Sequence, residues 1–517
     1  MIRHVNFQMI FLALILLVGS ASTALGQKNE QPNVLVIFVD DLGWQDLSEP
    51  FYKEKTPLNR RFHTPNLELL AKESVKFTDA YATPVCTPSR VSFLTGMNAA
   101  RHRVTLWTHP EANNPTDNPD ELLDPPAWNI NGLSAEEDIP FTYYATPLPE
   151  ILKNHGYYTI HIGKAHWGAA GTPGASPMNL GFMVNVAGHS AGHPQSYYGE
   201  ANYGNFPTRA TYQAVPDLME YHGTPTFLTS ALTKEAIKAL REPLKREEPF
   251  FMHFSNYAVH VPIQADPRFV DKYLADGLDS LEAGYASLVE GYDDSIGELV
   301  SFLKQEGVYD NTVIVFVSDN GGLSLAPQRS GESHTQNLPL NVGKGSVYEG
   351  GIRVPLLIKK AKGEGRSTID APVIMEDLFP TILELTNTPA GQLAQKQVDG
   401  KSLLPLLNNK VDESWNNRPL VWHIPNKWIL EDGPGINFYS AVRQGDYKLI
   451  YDMKGSKVHL YNLKKDIGER YDLAGKENSK TKAMSTLLSK SLKQYQAQMP
   501  TYKDSKKLVP YPDELAR

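Results

Sequence analysis

Cysteine is almost missing from this chain: 517 residues contain one, Cys86. An internal disulfide is therefore excluded, and stability has to come from a packed core, which a chain of this length can bury. Long runs of like charge, internal repeats and low-complexity tracts are lacking too. The net charge of −8 is spread along the sequence. That excludes a nucleic-acid binder built on a basic face, and it means that any anion site must be assembled locally. Beyond the first residues, no apolar stretch approaches the length of a membrane span.

What the sequence does have begins with MIRHVNFQMIFLALILLVGSASTALGQ, in which Arg3 and His4 precede an apolar run from Met9 to Val18. Small residues follow, up to Gln27. This is the three-part pattern of a secretory signal, expected over residues 1–26, and its apolar run is too short to cross a bilayer. No lipid-attachable cysteine comes after it. The expectation is an exported protein, periplasmic or secreted, with no stable membrane anchor after cleavage. A lone cysteine in such a protein needs an explanation.

Asn33–Val39, NVLVIFV, is a continuous apolar run rich in β-branched residues, as expected of a strand buried on both faces. TVIVFVSDNGG from Thr312 is a second, and YYTIHIG and PFFMHFSNY read as further strands. Helical patterns separate them. TPNLELLAKES offers Thr64 as N-cap and Pro65 at the first helical position. The longest pattern begins near Gly284 and stops at Gly307. Buried strands alternating with helices predict an α/β fold with a mainly parallel sheet covered by helices on both faces. After about Asn417 the texture changes: YSAVRQGDYKLIYDM and VHLYNL predict short antiparallel strands, followed by a polar helix from about Lys480 to Gln498. The expected organisation is a catalytic α/β region over 27–417 and a small C-terminal α+β subdomain over 418–517. The proline-rich stretch from Arg101 to Thr146 is long enough to suggest a functional loop.

Two predicted strands end in oxygen donors. The first finishes FVDDLGW, with Asp40 and Asp41 at its tip; the second finishes FVSDNGG, with Asp319 and Asn320. Ligands of open parallel sheets bind beyond such carboxyl ends. Adjacent residues of a regular strand point to opposite faces, so both members of a pair reach one point only where the strand breaks, which Gly43, Gly321 and Gly322 permit. Three carboxylates and an amide oxygen suit Ca²⁺ or Mg²⁺. Strand-end Asp and Asn also cap turns, but two such pairs on two buried strands favour the metal. Cys86 lies just before TPSRVSFLTG, where Thr87 can cap and Pro88 can start a short helix. A helix N-terminus favours anions, and Arg90 adds a forked, permanent positive charge. The alternative is a small buried structural thiol.

Cys86-Thr87-Pro88-Ser89-Arg90, followed by Leu94-Thr95-Gly96, resembles the signature of the type I, formylglycine-dependent sulfatases. GKAHWG, NYAVHVP and GKGSVYEGGIRVP are similar to further segments of that family, in the family's order. The resemblance implies an alkaline-phosphatase-like fold and oxidation of Cys86 to formylglycine by a maturation enzyme. It also implies a Ca²⁺ held by Asp40, Asp41, Asp319, Asn320 and the modified Cys86. Catalytic roles are implied for Cys86 as nucleophile, Arg90 assisting its ionisation, and Lys164 and Lys344 contacting sulfate. His260 would protonate the leaving oxygen, and His166 would act as the base that expels sulfate. The chain departs from the family pattern at Ala165, Trp167 and Val259, which are expected in the pocket wall.

Members of the secreted bacterial type act on sulfated polysaccharides, so the expected substrate is a sulfated carbohydrate such as an algal galactan, ulvan or a glycosaminoglycan. AGHSAGHPQSYYGEANYG, Ala187 to Gly204, and the Arg101–Thr146 stretch are candidate sugar subsites, the former through its aromatic side chains. Two other functions compete: a phosphonate or phosphodiester hydrolase of the same fold, and a catalytically silent carbohydrate-binding relative.

Overall fold

The computed structural model describes residues 31–206, 211–323, 337–363 and 367–515. The expected signal segment lies outside them. Among the described residues, no helix is long and apolar enough to cross a membrane.

A nine-stranded sheet organises the chain. Its strands are β1 Asn33–Val39, β2 Val75–Tyr81, β3 Tyr158–Gly163, β4 Val184–Val186, β5 Phe250–Ser255, β6 Thr312–Ser318, β7 Arg353–Lys359, β8 Ser367–Ile369 and β9 Val373–Ile374. Their order is β8-β2-β7-β6-β1-β5-β3-β4, with β9 also on β2. Only β7 runs against its neighbours. β1 sits in the middle, and its alternating residues enter two separate cores. Leu35, Ile37 and Val39 pack on one side, and Val34, Val36 and Phe38 on the other. Both faces of this strand are dry, which is why its sequence is apolar without alternation.

Helices cover both faces. They include α1 Pro65–Lys72, α2 Cys86–Thr95, α3 Leu228–Arg246 and α4 Ser280–Gln305. α4 starts a turn earlier than its apolar pattern suggests, because the Asp279 carboxylate accepts from the Leu281 and Glu282 amides and caps it there. Thr64 is the N-cap of α1, with Pro65 next, although its hydroxyl bonds Ser48 rather than the helix. Thr87 does not cap α2. That helix begins at Cys86 after an extended Val85, and the Thr87 hydroxyl instead accepts from the Thr108 amide.

Four antiparallel strands, β10 Leu420–Ile424, β11 Tyr439–Gln444, β12 Tyr447–Asp452 and β13 Lys457–Asn462, form a second sheet. Helix α5, Asn478–Gln494, packs on it through Met484, Leu488 and Leu492. The other face of this sheet docks on the first: Trp422 meets the Tyr81 ring edge-on and donates its indole N–H to the Ala82 carbonyl. The Arg101–Thr146 stretch is no free loop. It pairs Leu123–Asp124 with Thr501–Tyr502 and Leu133–Ser134 with Tyr143–Tyr144.

Several histidines are buried as neutral rings. His102 accepts from the Val104 amide at Nδ1 and donates from Nε2 to Ser92, and burial holds its pKa down to about 3. An unfolded histidine titrates near 6.5. Below that pH the unfolded chain takes up a proton that native His102 refuses, so stability must fall as pH falls. The slope from this one group is up to about 1.4 kcal/mol per pH unit. A His102→Asn variant is expected to lose less stability than the wild type between pH 7 and pH 5 in denaturant titrations; parallel profiles would contradict this.

Candidate active site

The register of the sheet assembles the site. β1 and β6 pair in parallel with Val39 opposite Ser318, so Asp40 and Asp319 leave the sheet side by side. On the other flank Phe38 lies opposite Ser255, and Gly163 opposite Ser255, so the Lys164–His166 and Asn256–His260 turns emerge at the same edge. The two members of the first pair converge because Asp41 itself is left-handed, with φ of 61°. The nearby glycines have a different job from the one expected: a Cβ on Gly321 would stand 1.8 Å from the Gly350 carbonyl oxygen. They permit close approach rather than a positive φ.

Arg90, fully buried, ties these ends together. Its Nε and Nη2 bind the same Asp319 oxygen at 2.9 and 2.8 Å. Nη2 lies 3.6 Å from Asp40, and Nη1 donates to the Lys164 carbonyl and the Ser255 hydroxyl. Lys164 Nζ donates to Asp40 Oδ2 at 2.6 Å, and Lys344 Nζ to Asp41 at 2.6 Å. Asp319 is further held by the Asp41 amide, and Asn320 Nδ2 donates to Asp41 Oδ1. The two adjacent aspartates diverge electrically. Burial drives the Asp40 carboxyl well above its ordinary range despite Lys164. Burial pushes Asp41 the same way but is overcome by Lys344, His260 and Lys164, which hold it low.

Asp40 Oδ1 and Asn320 Oδ1 are buried and have no hydrogen-bond partner. Unpaired buried oxygens are costly, and oxygens of this kind are what a hard cation takes. Asp40, Asp41 and His260 bring donor atoms within 4.8 Å of one another. The residues present therefore fit a divalent ion. Asp41 and Asp319 each have both oxygens engaged, Asp41 by Asn320 and Lys344 and Asp319 by Arg90 and the Asp41 amide, so Asp40 is the acid left with an unpaired oxygen.

Cys86 opens α2, and its Sγ lies 3.4 Å from His166 Nδ1. His166 is left-handed, with φ of 55°, and the Thr108 carbonyl accepts from its Nε2 at 2.8 Å. That bond fixes the tautomer, leaving Nδ1 bare toward Cys86. Burial, with Lys164 nearby, keeps this ring neutral. Burial also raises the Cys86 thiol above its ordinary pKa, so it is not a ready thiolate. His260 donates from Nδ1 to the Val261 carbonyl, and its Nε2 faces Lys344 Nζ at 3.1 Å. Burial and Lys344 lower its pKa well below the usual histidine value.

All ten residues singled out from the sequence lie in this cluster or directly against it: Cys86, Arg90, Lys164, His166, His260, Lys344, Asp40, Asp41, Asp319 and Asn320. Above it opens a cavity of about 310 Å³. Trp107, His109 and Gln213 line it together with Gly192, His193 and Trp428. Trp428 was not legible in advance. It comes from the second sheet's region and backs onto Gly345, where a Cβ would stand 1.9 Å from its ring. Of the Ala187–Gly204 stretch only Gly192 and His193 reach the cavity, His193 stacking on His260 at 5.8 Å. Tyr197 and Tyr203 are fully buried, which corrects their expected role as sugar platforms. Ala165, Trp167 and Val259 are likewise core residues rather than pocket wall. Tyr197 does serve the site indirectly, its hydroxyl bridging the Tyr257 and His260 carbonyls.

Comparison with known proteins agrees with this arrangement. The sulfatase family model matches residues 32–388, and the N-sulphoglucosamine sulphohydrolase C-terminal model residues 342–498. A sulfatase of Formosa agariphila is 28% identical, covering 87% of this chain and 86% of its own. The N-acetylgalactosamine-6-sulfatase of Rattus norvegicus is 28% identical, covering 88% and 84%. The crystal structure of Ps i-CgsB in complex with k-i-k-neocarrahexaose superimposes with a TM-score of 0.69 at 25% identity, over 94% of this chain and 96% of that one. The architecture is the alkaline-phosphatase-like one shared by these neighbours.

Proposed function

The chain belongs to the sulfatase family and is a sulfuric ester hydrolase, and from that premise we propose that it desulfates a carbohydrate using Cys86 converted to formylglycine. The observation that carries the proposal is His166: a neutral ring whose bare Nδ1 faces the side chain at position 86 at 3.4 Å. A thiol held protonated by burial gains little from such a base. Conversion supplies an aldehyde carbon that, hydrated, carries two hydroxyl oxygens where the thiol has one sulfur.

Sulfate-ester cleavage needs positive charge around the equatorial oxygens, a placed nucleophile and a proton for the leaving alcohol. Lys344 lines the cavity and supplies charge there, and Lys164, buried against Asp40, adds to it. Arg90 stays behind the carboxylates and fixes their geometry and that of the Lys164 turn. Lys344 donates to His260 Nε2, so this pair holds a proton facing the cleft for the leaving oxygen. One oxygen of the hydrated aldehyde would bond to sulfur as the S–O bond to the leaving alcohol breaks. His166 would then take the proton of the other hydroxyl, so that C=O re-forms as the C–O bond to sulfate breaks and sulfate leaves. Asp40, Asp41, Asp319 and Asn320 would hold a Ca²⁺ ion, with residue 86 as a further ligand. The ion would draw charge from the sulfate oxygens and favour ionisation at position 86.

A cavity of about 310 Å³ is the size of small-ligand sites, and Trp107 and Trp428 offer it apolar ring faces. Relatives named for N-acetylgalactosamine 6-sulfate and for a carrageenan complex support a sulfated sugar within a polymer. The leader-like residues 1–26 support export to the periplasm or beyond, after encounter with a formylglycine-generating enzyme. The test is inorganic sulfate release from chondroitin 6-sulfate and ι-carrageenan oligosaccharides, beside matched aryl sulfate and aryl phosphonate esters. Sulfate esters are expected to be favoured in kcat/KM by at least about 100-fold. Faster phosphonate cleavage would overturn the proposal.

A further inference from the structure

A second cleft opens on the loop that leaves β1. It is lined by Tyr52, Glu54, Lys55, Arg60 and Arg61, with Leu338, Pro339 and Arg470 closing it. The segment from Asp40 to Tyr52 links it to the active-site carboxylates, and the Tyr52 ring lies 6.0 Å from that of Trp44. On its other wall, Leu338 directly follows Asn337, whose side chain donates to the Gly322 and Val342 carbonyls beside the metal-site turn.

Four cations against one carboxylate make this a basic groove in a chain of net charge −8. Arg61 is paired with Glu282. Among the described residues none of Lys55, Arg60 and Arg470 forms an ion pair, and all three are exposed. The groove therefore carries a net positive charge. Guanidinium forks match the oxygens of a sulfate group in pairs. Half-buried Tyr52 and Pro339 and the exposed Leu338 add apolar surface, suited to the C–H faces of sugar rings. A duplex nucleic acid would need a broad positive face, and the net negative charge elsewhere works against one.

We propose that this groove is an exosite that binds sulfate groups of the substrate polymer at a distance from the cleaved ester. The proposal rests on the sulfated-carbohydrate reading of the active site. An exosite of this kind lets one molecule hold its polymer through two contacts, raising the effective concentration of ester at the cavity.

Affinity electrophoresis tests it. The full chain carrying Cys86→Ala, so that nothing is consumed, runs through gels containing ι-carrageenan, chondroitin 6-sulfate or, as an unsulfated polyanion, polygalacturonate. The sulfated gels are expected to retard it and polygalacturonate to do so far less. Adding Lys55→Ala, Arg60→Ala and Arg470→Ala is expected to weaken the sulfated-polymer interaction about ten-fold, with an unchanged melting curve. No retardation by either sulfated polymer, retardation that the triple change leaves intact, or equal retardation by polygalacturonate would each overturn the exosite. Failure of the sulfatase proposal is read separately, as absence of sulfate release by the wild type.

Discussion

Replacing Cys86 with alanine is expected to lower turnover of sulfate esters by at least about four orders of magnitude, with the melting temperature kept within about 3 °C. Cys86 is the first residue of α2 and borders the cavity. Its thiol is shifted up by burial, so it contributes no charge that the native state needs. Alanine keeps the helix start, and only one sulfur leaves the packing. Activity has no such substitute. His166 Nδ1, 3.4 Å away, would face a methyl group with no proton to take. Calorimetry and sulfate release on the same preparation separate the two effects; a fully active alanine variant would remove Cys86 from the chemistry.

Arg90→Ala is expected to cost both activity and about 3–5 kcal/mol of stability. Among the described residues the guanidinium is the only cation that touches Asp319 and also approaches Asp40, and it fastens the Lys164 carbonyl and the Ser255 hydroxyl behind them. Without it two buried carboxylates lose their shared partner, and the turns carrying Lys164 and Asn256 lose their common anchor. Lysine is no remedy, because one ammonium cannot reproduce a planar fork that reaches several acceptors at once. The urea midpoint is expected to drop sharply for both variants, less for lysine. An unchanged midpoint for Arg90→Ala would mean that this network does not organise the site.

The sequence carried the strand tips plainly. A strand buried on both faces leaves no room for polar residues until it ends, so Asp40-Asp41 and Asp319-Asn320 stand out after NVLVIFV and TVIVFVS. Their meeting depends on register, Val39 against Ser318, which no local pattern encodes. The geometry that brings the first pair together was also hidden, because the left-handed residue is Asp41 itself and not a neighbouring glycine. Tyr197 and Tyr203 resembled a binding stretch because their segment has no periodicity. Irregular segments can bury aromatics as well as strands do, and these two fill the core. Trp428 was invisible for a different reason. It reaches the cavity only because the second sheet docks on the first through Trp422 and Tyr81, a tertiary contact between distant parts of the chain.

The most direct test of this account is the mass of the tryptic peptide Phe77–Arg90 from protein produced together with a formylglycine-generating enzyme. The account predicts a peptide whose Cys86 side chain has the mass of an aldehyde in place of CH₂SH, in preparations that release sulfate, with activity rising in proportion to the converted fraction. Full sulfatase activity from protein whose Cys86 is entirely an unmodified thiol would contradict it.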